Sequence, residues 1–116
     1  MTDDRFARLP EPPCWAVVFS SRRRDGGVVD DGYAAAADRM AELAAGYAGY
    51  LGLESARGAD GFGITVSYWS SPDAIRAWRD DVEHTLTREA GRARWYDHYE
   101  LRVARVERAY GWDVAG

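Results

Sequence analysis

The sequence predicts an α+β fold in the order β-α-β-β-α-β. This is the ferredoxin-like arrangement, a four-stranded antiparallel sheet with both helices on one face. Three observations predict it. Four segments carry strand patterns, two carry apolar residues at three- and four-residue spacing, and glycine-, proline- and serine-rich breaks separate them in that order.

Residues 1–13 form an extended N-terminal arm, because Pro10, Pro12 and Pro13 forbid helix there. The first strand is Cys14 to Ser20. Trp15, Val17 and Phe19 point one way, Ala16 and Val18 the other. Both sides are apolar, so the strand is expected to be central and covered on both faces. Ser21 to Asp31 reads as a polar loop holding Arg22, Arg23 and Arg24, with Asp31 as the N-cap of the first helix. Tyr33, Ala36, Ala37, Met40, Leu43, Ala44 and Tyr47 make that helix's apolar stripe, and Gly46 and Gly49 stop it. Tyr50 to Arg57 is the second strand. Gly58-Ala59-Asp60-Gly61 is a hairpin turn into the third, Phe62 to Trp69. On the third strand Phe62, Ile64, Val66 and Tyr68 share one face, and Gly63, Thr65, Ser67 and Trp69 the other. Ser71 caps the second helix, with Pro72 at its first position and Asp73 at the positive end of its dipole. Its buried side is Ile75, Trp78, Val82 and Leu86, and it ends near Gly91. Tyr96 to Glu107 is the fourth strand, with Tyr99, Leu101 and Val103 alternating. The domain proper is 14–108, and 109–116 is a tail carrying Tyr110 and Trp112.

Two helices cover one face of such a sheet, yet strands one and three carry bulky side chains on both. An apolar face of that size is expected to be an interface, which predicts a homodimer through the open sheet face. The arm and the tail are expected to lie across the partner subunit.

The bulk numbers narrow the function. At 116 residues and 47% apolar composition, the chain is one domain. Its net charge of −4 argues against nucleic acid, which needs a basic face. Every basic residue is arginine, which reads as coding bias. A lone Cys14 rules out an intrachain disulfide or a cysteine metal cluster and reads as a small buried strand residue. With no apolar signal core and no membrane-length apolar run, the expectation is a cytoplasmic protein without a membrane partner. GADGFG is a hairpin turn and opens no helix, so it is not a dinucleotide motif.

The segments WAVVFSS, DRMAELAAGYAGYLGLESARGADGFGITVSYWSSPDAIRAW, His84 and GRARWYDHYELRVARVERAYG carry a resemblance over residues 14–111. The chain resembles the antibiotic biosynthesis monooxygenase family, within the dimeric α+β barrel superfamily. Ala48 stands where that family often has proline. The resemblance implies a monooxygenase, an oxidoreductase acting on an aromatic or quinol-like small molecule without a cofactor. Haem is the alternative cofactor, because the family's haem-degrading branch pairs a second-helix tryptophan with a histidine ligand. Trp78 and His84 are similar to that pair at a spacing about one turn shorter. Trp15, Ala16 and Val17 stand where that branch has an asparagine, and none supplies its amide. A dimer that binds a small ligand without catalysis is the third reading.

The candidate catalytic residues are His84, Trp69 and Tyr68; the candidate ligand-binding residues are Trp78, Tyr33, Trp95 and Tyr99. His84 is either a base or haem ligand, or a surface histidine in the ladder of Asp80, Asp81, Glu83 and Arg88. Trp69 and Tyr68 end the third strand on opposite faces, as ligand walls or as core. Trp78 lies on an apolar stripe and Tyr33 on another, which core packing explains equally well. His98 and Tyr99 face opposite ways. No serine triad or His/Cys metal set is visible.

Overall fold

The computed structural model describes residues 5–24, 33–88 and 95–114, with side chains except those of 33–36 and 82–88. The elements are β1 (Cys14–Arg23), α1 (Tyr33–Ala45), β2 (Tyr50–Arg57), β3 (Phe62–Trp69), α2 (Pro72–Arg88) and β4 (Tyr96–Val106). All strand pairs are antiparallel, in the order β2-β3-β1-β4, so the ferredoxin-like α+β fold is confirmed. Among the described residues no helix is long and apolar enough to cross a membrane.

The central strand shows the predicted alternation. Val17 is paired with Ser67 and Val103, and Phe19 with Thr65 and Leu101, all on the helix side. Val18 is paired with Val66 and Ala16 with Tyr68 on the open side. β1 is longer than the sequence indicated. Ser21, Arg22 and Arg23 continue it, pairing with Gly63, Phe62 and Tyr96. Arg23 therefore belongs to no solvated loop. Strand alternation turns it to the helix side, where it is buried and its Nε donates to the carbonyl of Trp95 at 3.2 Å. The backbone N–H of Arg24 donates to the same carbonyl at 3.0 Å, and this fastens the start of β4. Arg22 and Arg24 stay outside, each within 4.0 Å of Asp97.

The helices are placed by their sequence signals. The Ser71 hydroxyl accepts from the Ala74 N–H at 3.2 Å, as an N-cap does. Asp31 and Gly91, expected to bound α1 and α2, lie outside the described residues. On α1, Met40 and Ala44, one turn apart, face the sheet. Leu43 does not join them. It sits about 60° around the helix from Met40 and is half exposed, so the stripe is narrower than its sequence spacing indicated. Leu101 and Val103 on β4 also turn to the helix side yet stay exposed, because the helices pack mainly over β1, β2 and β3.

The open face is closed at one end by the chain itself. The N–H of Ala7 in the arm donates to Glu54 Oε2 of β2 at 2.9 Å. A Cβ on Gly52 would lie 2.9 Å from the Ala7 Cβ, so glycine makes room for the arm. The arm is thus seated on its own sheet at Ala7, where Glu54 and Gly52 receive it. At the other end of that face Phe62 is 48% and Ile64 42% exposed.

The chain exposes 8074 Å². A compact monomer of 12.9 kDa exposes about 6,300 Å². The arm and the tail contribute to the difference, with Phe6, Tyr110, Trp112 and Val114 largely exposed.

Gly49 fixes the join between the helix layer and the sheet. Its φ is 89°, and an added Cβ would stand 2.8 Å from the Ala74 Cβ and from Ser70 Oγ. Its carbonyl accepts from the Ser70 N–H at 2.8 Å. Gly49→Ala is expected to destabilise the fold by about 1–3 kcal/mol, read as a lowered urea midpoint. An unchanged midpoint would show that the join tolerates a side chain.

Candidate functional site

The helix side of the sheet carries two adjoining aromatic groups, and both grow from one strand and one helix. Val17 and Ala44 belong to the first group, Phe19 and Met40 to the second. The first centres on Trp69, which is 0% exposed. Its ring lies 5.5 Å from Tyr50 at 78° and 5.2 Å from Trp78 at 38°. The second joins Trp95, Tyr96 and Tyr99 to Phe19, with ring centroids of Phe19 5.6 Å from Tyr96 and 5.3 Å from Tyr99. Edge-to-face and tilted pairs of this kind let ring edges meet ring faces, which adds to the gain from burial.

The two tryptophans of the first group differ in one respect that matters for chemistry. The Trp69 indole N–H donates to Ser67 Oγ at 2.9 Å and is satisfied. Trp78 Nε1 is buried and has no hydrogen-bond partner, alone in this among the buried side-chain nitrogens and oxygens of the described residues. A buried N–H without an acceptor costs about 1–3 kcal/mol. It is a donor held ready beside a flat aromatic wall. Trp78 as a whole is only partly buried, so part of its ring meets the surface although Nε1 does not, and Trp69 lies behind it.

Of the sequence-predicted residues, Trp69 and Trp78 come together, and Trp95 and Tyr99 come together beside them. Tyr68 does not join either pair. It faces the open side, where its hydroxyl donates to Glu54 Oε1 at 2.8 Å. One flat ligand cannot touch Trp69 and Tyr68 of the same subunit, because the sheet stands between them. Burial, and then the Glu54 carboxylate that accepts its proton, push the Tyr68 phenol up to about 12. It is a proton holder at neutral pH and not a base. Tyr50, pushed up by burial, is likewise neutral. Tyr33 and His84 fall on α1 and α2, and their side chains lie outside the described residues. His98 is exposed, 2.5 Å from Glu100 Oε2.

Glu54, Arg23 and Tyr50 went unnoticed as interaction centres at the level of sequence. For Glu54 a signal existed, an acid two residues from Gly52 and next to Leu53. For Arg23 the signal was its even spacing from Val17 and Ser21, masked by two arginine neighbours. At the sheet end near Arg23, Arg57 donates to Ser21 Oγ at 2.8 Å and to the Gly61 carbonyl at 2.5 Å, bracing the β2–β3 turn against β1. Among the described residues no three His, Cys, Asp or Glu side chains gather as metal ligands. A concave surface lined by Gly111, Trp112, Asp113 and Val114 belongs to the tail and not to the aromatic groups.

No protein-family model matches the chain. It is 51% identical over 105 residues to the uncharacterized protein YqjZ of Bacillus subtilis, covering 90% of each chain. Among solved structures it is similar to NE2512 of Nitrosomonas europaea, a protein of unknown function, with a TM-score of 0.55 at 15% identity over 90% of this chain and 97% of that one. It is similar to PA3566 of Pseudomonas aeruginosa, with a TM-score of 0.54 at 13% identity over 88% and 100%. It is also similar to a Chloroflexus aurantiacus protein described as a "putative Antibiotic biosynthesis monooxygenase", with a TM-score of 0.53 at 15% identity over 87% and 98%. At these identities the structures share the fold.

Glu54→Gln removes the carboxylate charge but keeps an acceptor. The Tyr68 pKa is expected to fall from about 12 towards, but not reach, its ordinary 10.0, as burial still raises it. A folded-state pKa raised in this way contributes stability that is complete below pH 10.0 and is lost as pH climbs through about 12. The variant should lose that stability at lower pH than the parent. Titrating the tyrosine ring carbons by NMR checks the shift, and an unmoved Tyr68 would refute the Glu54 pairing.

Proposed function

We propose, for a chain that belongs to the family of YqjZ of Bacillus subtilis, a monooxygenase that works without a cofactor on a flat aromatic or quinol-like molecule. The observation that carries the reading is the buried, unpartnered Trp78 Nε1 beside the Trp69 ring. A phenolic or carbonyl oxygen of the ligand would accept from it, and the ring would stack on the exposed part of Trp78. The fold shared with the Chloroflexus protein is consistent with this chemistry.

In the reaction the substrate supplies the electrons. A ring methylene of an electron-rich substrate reacts with molecular oxygen to give a ring carbonyl and water. Two C–H bonds break, one oxygen atom becomes the carbonyl and the other leaves in water. The protein's part is to hold the ring, to keep water away and to accept the first proton. Trp78 would orient the oxygen on which negative charge gathers. His84, six residues along α2 and about 120° around the helix from Trp78, is the proposed base, and would have to reach the ligand from beyond the buried side of that helix. Tyr68 stands on the opposite face and takes no part within its own subunit.

The proposal also takes the protein as a homodimer through the open sheet face. Phe62 and Ile64, uncovered on that face, support it.

Metal-free protein is expected to consume oxygen with at least one member of a panel of anthrols and hydroquinones. Trp78→Phe should lower kcat/KM about tenfold, the worth of one hydrogen bond, and leave the unfolding midpoint in place or raised. Absence of oxygen uptake across the panel would end the oxygenase reading. A haemin Soret shift abolished by His84→Ala would replace it with a haem protein.

A further inference from the structure

We infer that the free edge of β4 pairs with the β4 edge of a second copy, antiparallel, about a two-fold axis at Leu101. The contact is separate from the open-face dimer and from the oxygenase reading. β4 stands last in the sheet order β2-β3-β1-β4, and among the described residues its outer side pairs with no strand.

Hydrogen-bond direction shows what that edge presents. The Arg23 N–H donates to the Gly61 carbonyl on the β3 side, and the Arg24 N–H to the Trp95 carbonyl on the β4 side. Backbone groups alternate along a strand, so the even-numbered residues of β1 are the ones that bond β4. Their partners there are His98, Glu100, Arg102, Ala104 and Val106. Tyr99, Leu101, Val103 and Arg105 therefore aim their N–H and carbonyl groups outward. Of these, Leu101 and Val103 are 36% and 49% exposed on the helix side. Arg102, exposed on the open side, makes no ion pair among the described residues.

An unpaired edge invites another strand, and charged side chains and bulges restrict what can join. On β4 they select one register. The irregularity opposite Arg22 and Arg23 confines a regular ladder to residues 98–106. An axis at Arg102 would set Arg102 against the partner's Arg102, two like charges. An axis at Val103 would set Arg102 against the partner's Ala104 and Leu101 against the partner's Arg105. An axis nearer either end shortens the ladder. The axis at Leu101 sets Glu100 against the partner's Arg102, and the pair is made twice, as a two-fold interface demands. It also lays Leu101 beside the partner's Leu101 and Val103 beside the partner's Tyr99, which covers side chains that the helices leave bare. A strand-to-strand contact of this length is small beside a stable interface, so it forms in concentrated solution and releases in dilute solution.

The test oxidises Leu101→Cys in concentrated solution, beside Val103→Cys and the parent, whose buried Cys14 makes it the blank. In the inferred register the two Leu101 Cα atoms lie about 5.5 Å apart, as in any hydrogen-bonded antiparallel pair, within a disulfide's reach. The two Val103 positions lie about 14 Å apart, beyond it. The open-face dimer cannot form the link, because Leu101 is on the helix side of each sheet. The expected result is a linked dimer from Leu101→Cys and no more than a trace from Val103→Cys. Adding Arg102→Glu should cut the linked fraction about fivefold or more, and adding Glu100→Arg to that chain should restore it. No link from Leu101→Cys, a link from Val103→Cys of equal or greater yield, or a yield unmoved by the charge reversal would overturn the edge contact and leave the open-face dimer untouched.

Discussion

The fold depends on covering β1 from both sides. Val17 and Phe19 on one face and Ala16 and Val18 on the other leave this central strand no polar side. The two helices answer for the first face, through Ala44, Met40 and Ile75. For the second, the described residues offer the arm, seated on Glu54 and Gly52 at one end. Phe62 and Ile64 are what remains uncovered. Apolar area without a cover of its own gains from a second copy.

The helix side is where sequence, packing and chemistry meet. The aromatic residues there are mostly core, held by their neighbours in fixed orientations. Trp69, wholly buried and satisfied by Ser67, is the backing. Trp78 stands one layer out, with its N–H desolvated and unused. Protein interiors seldom leave a donor in that state without a reason. Trp69 packs behind Trp78, and because Nε1 is closed off from the surface a ligand oxygen would meet this donor only as the neighbouring side chains part. The open side has the opposite character. There Glu54 ties the arm and Tyr68 into a satisfied hydrogen-bonded set.

Much of the fold was legible because it rests on local signals. Strand alternation, the Ser71 cap with Pro72, and the Gly58–Gly61 turn placed the elements, and the order of the elements placed the topology. Extents were harder to read. Three consecutive arginines looked like solvent, while strand pairing carries Arg23 inward to the Trp95 carbonyl. Leu43 had helical spacing but not the right angle. The candidate site was legible in part. Periodicity put Trp69 and Trp78 on inward faces, but nothing in the sequence says which indole finds an acceptor, as that depends on whether a serine two residues away on the same strand can reach. The seat of the arm was also hidden, since it joins residues 47 positions apart.

The measurement that tests the central claim most directly is the sedimenting mass of the full chain in dilute solution. Two sheets shielding each other's open faces predict twice the chain mass of 12.9 kDa, persisting to low micromolar concentration. A mass of one chain at every concentration, with Phe62 and Ile64 in contact with water, would contradict the account.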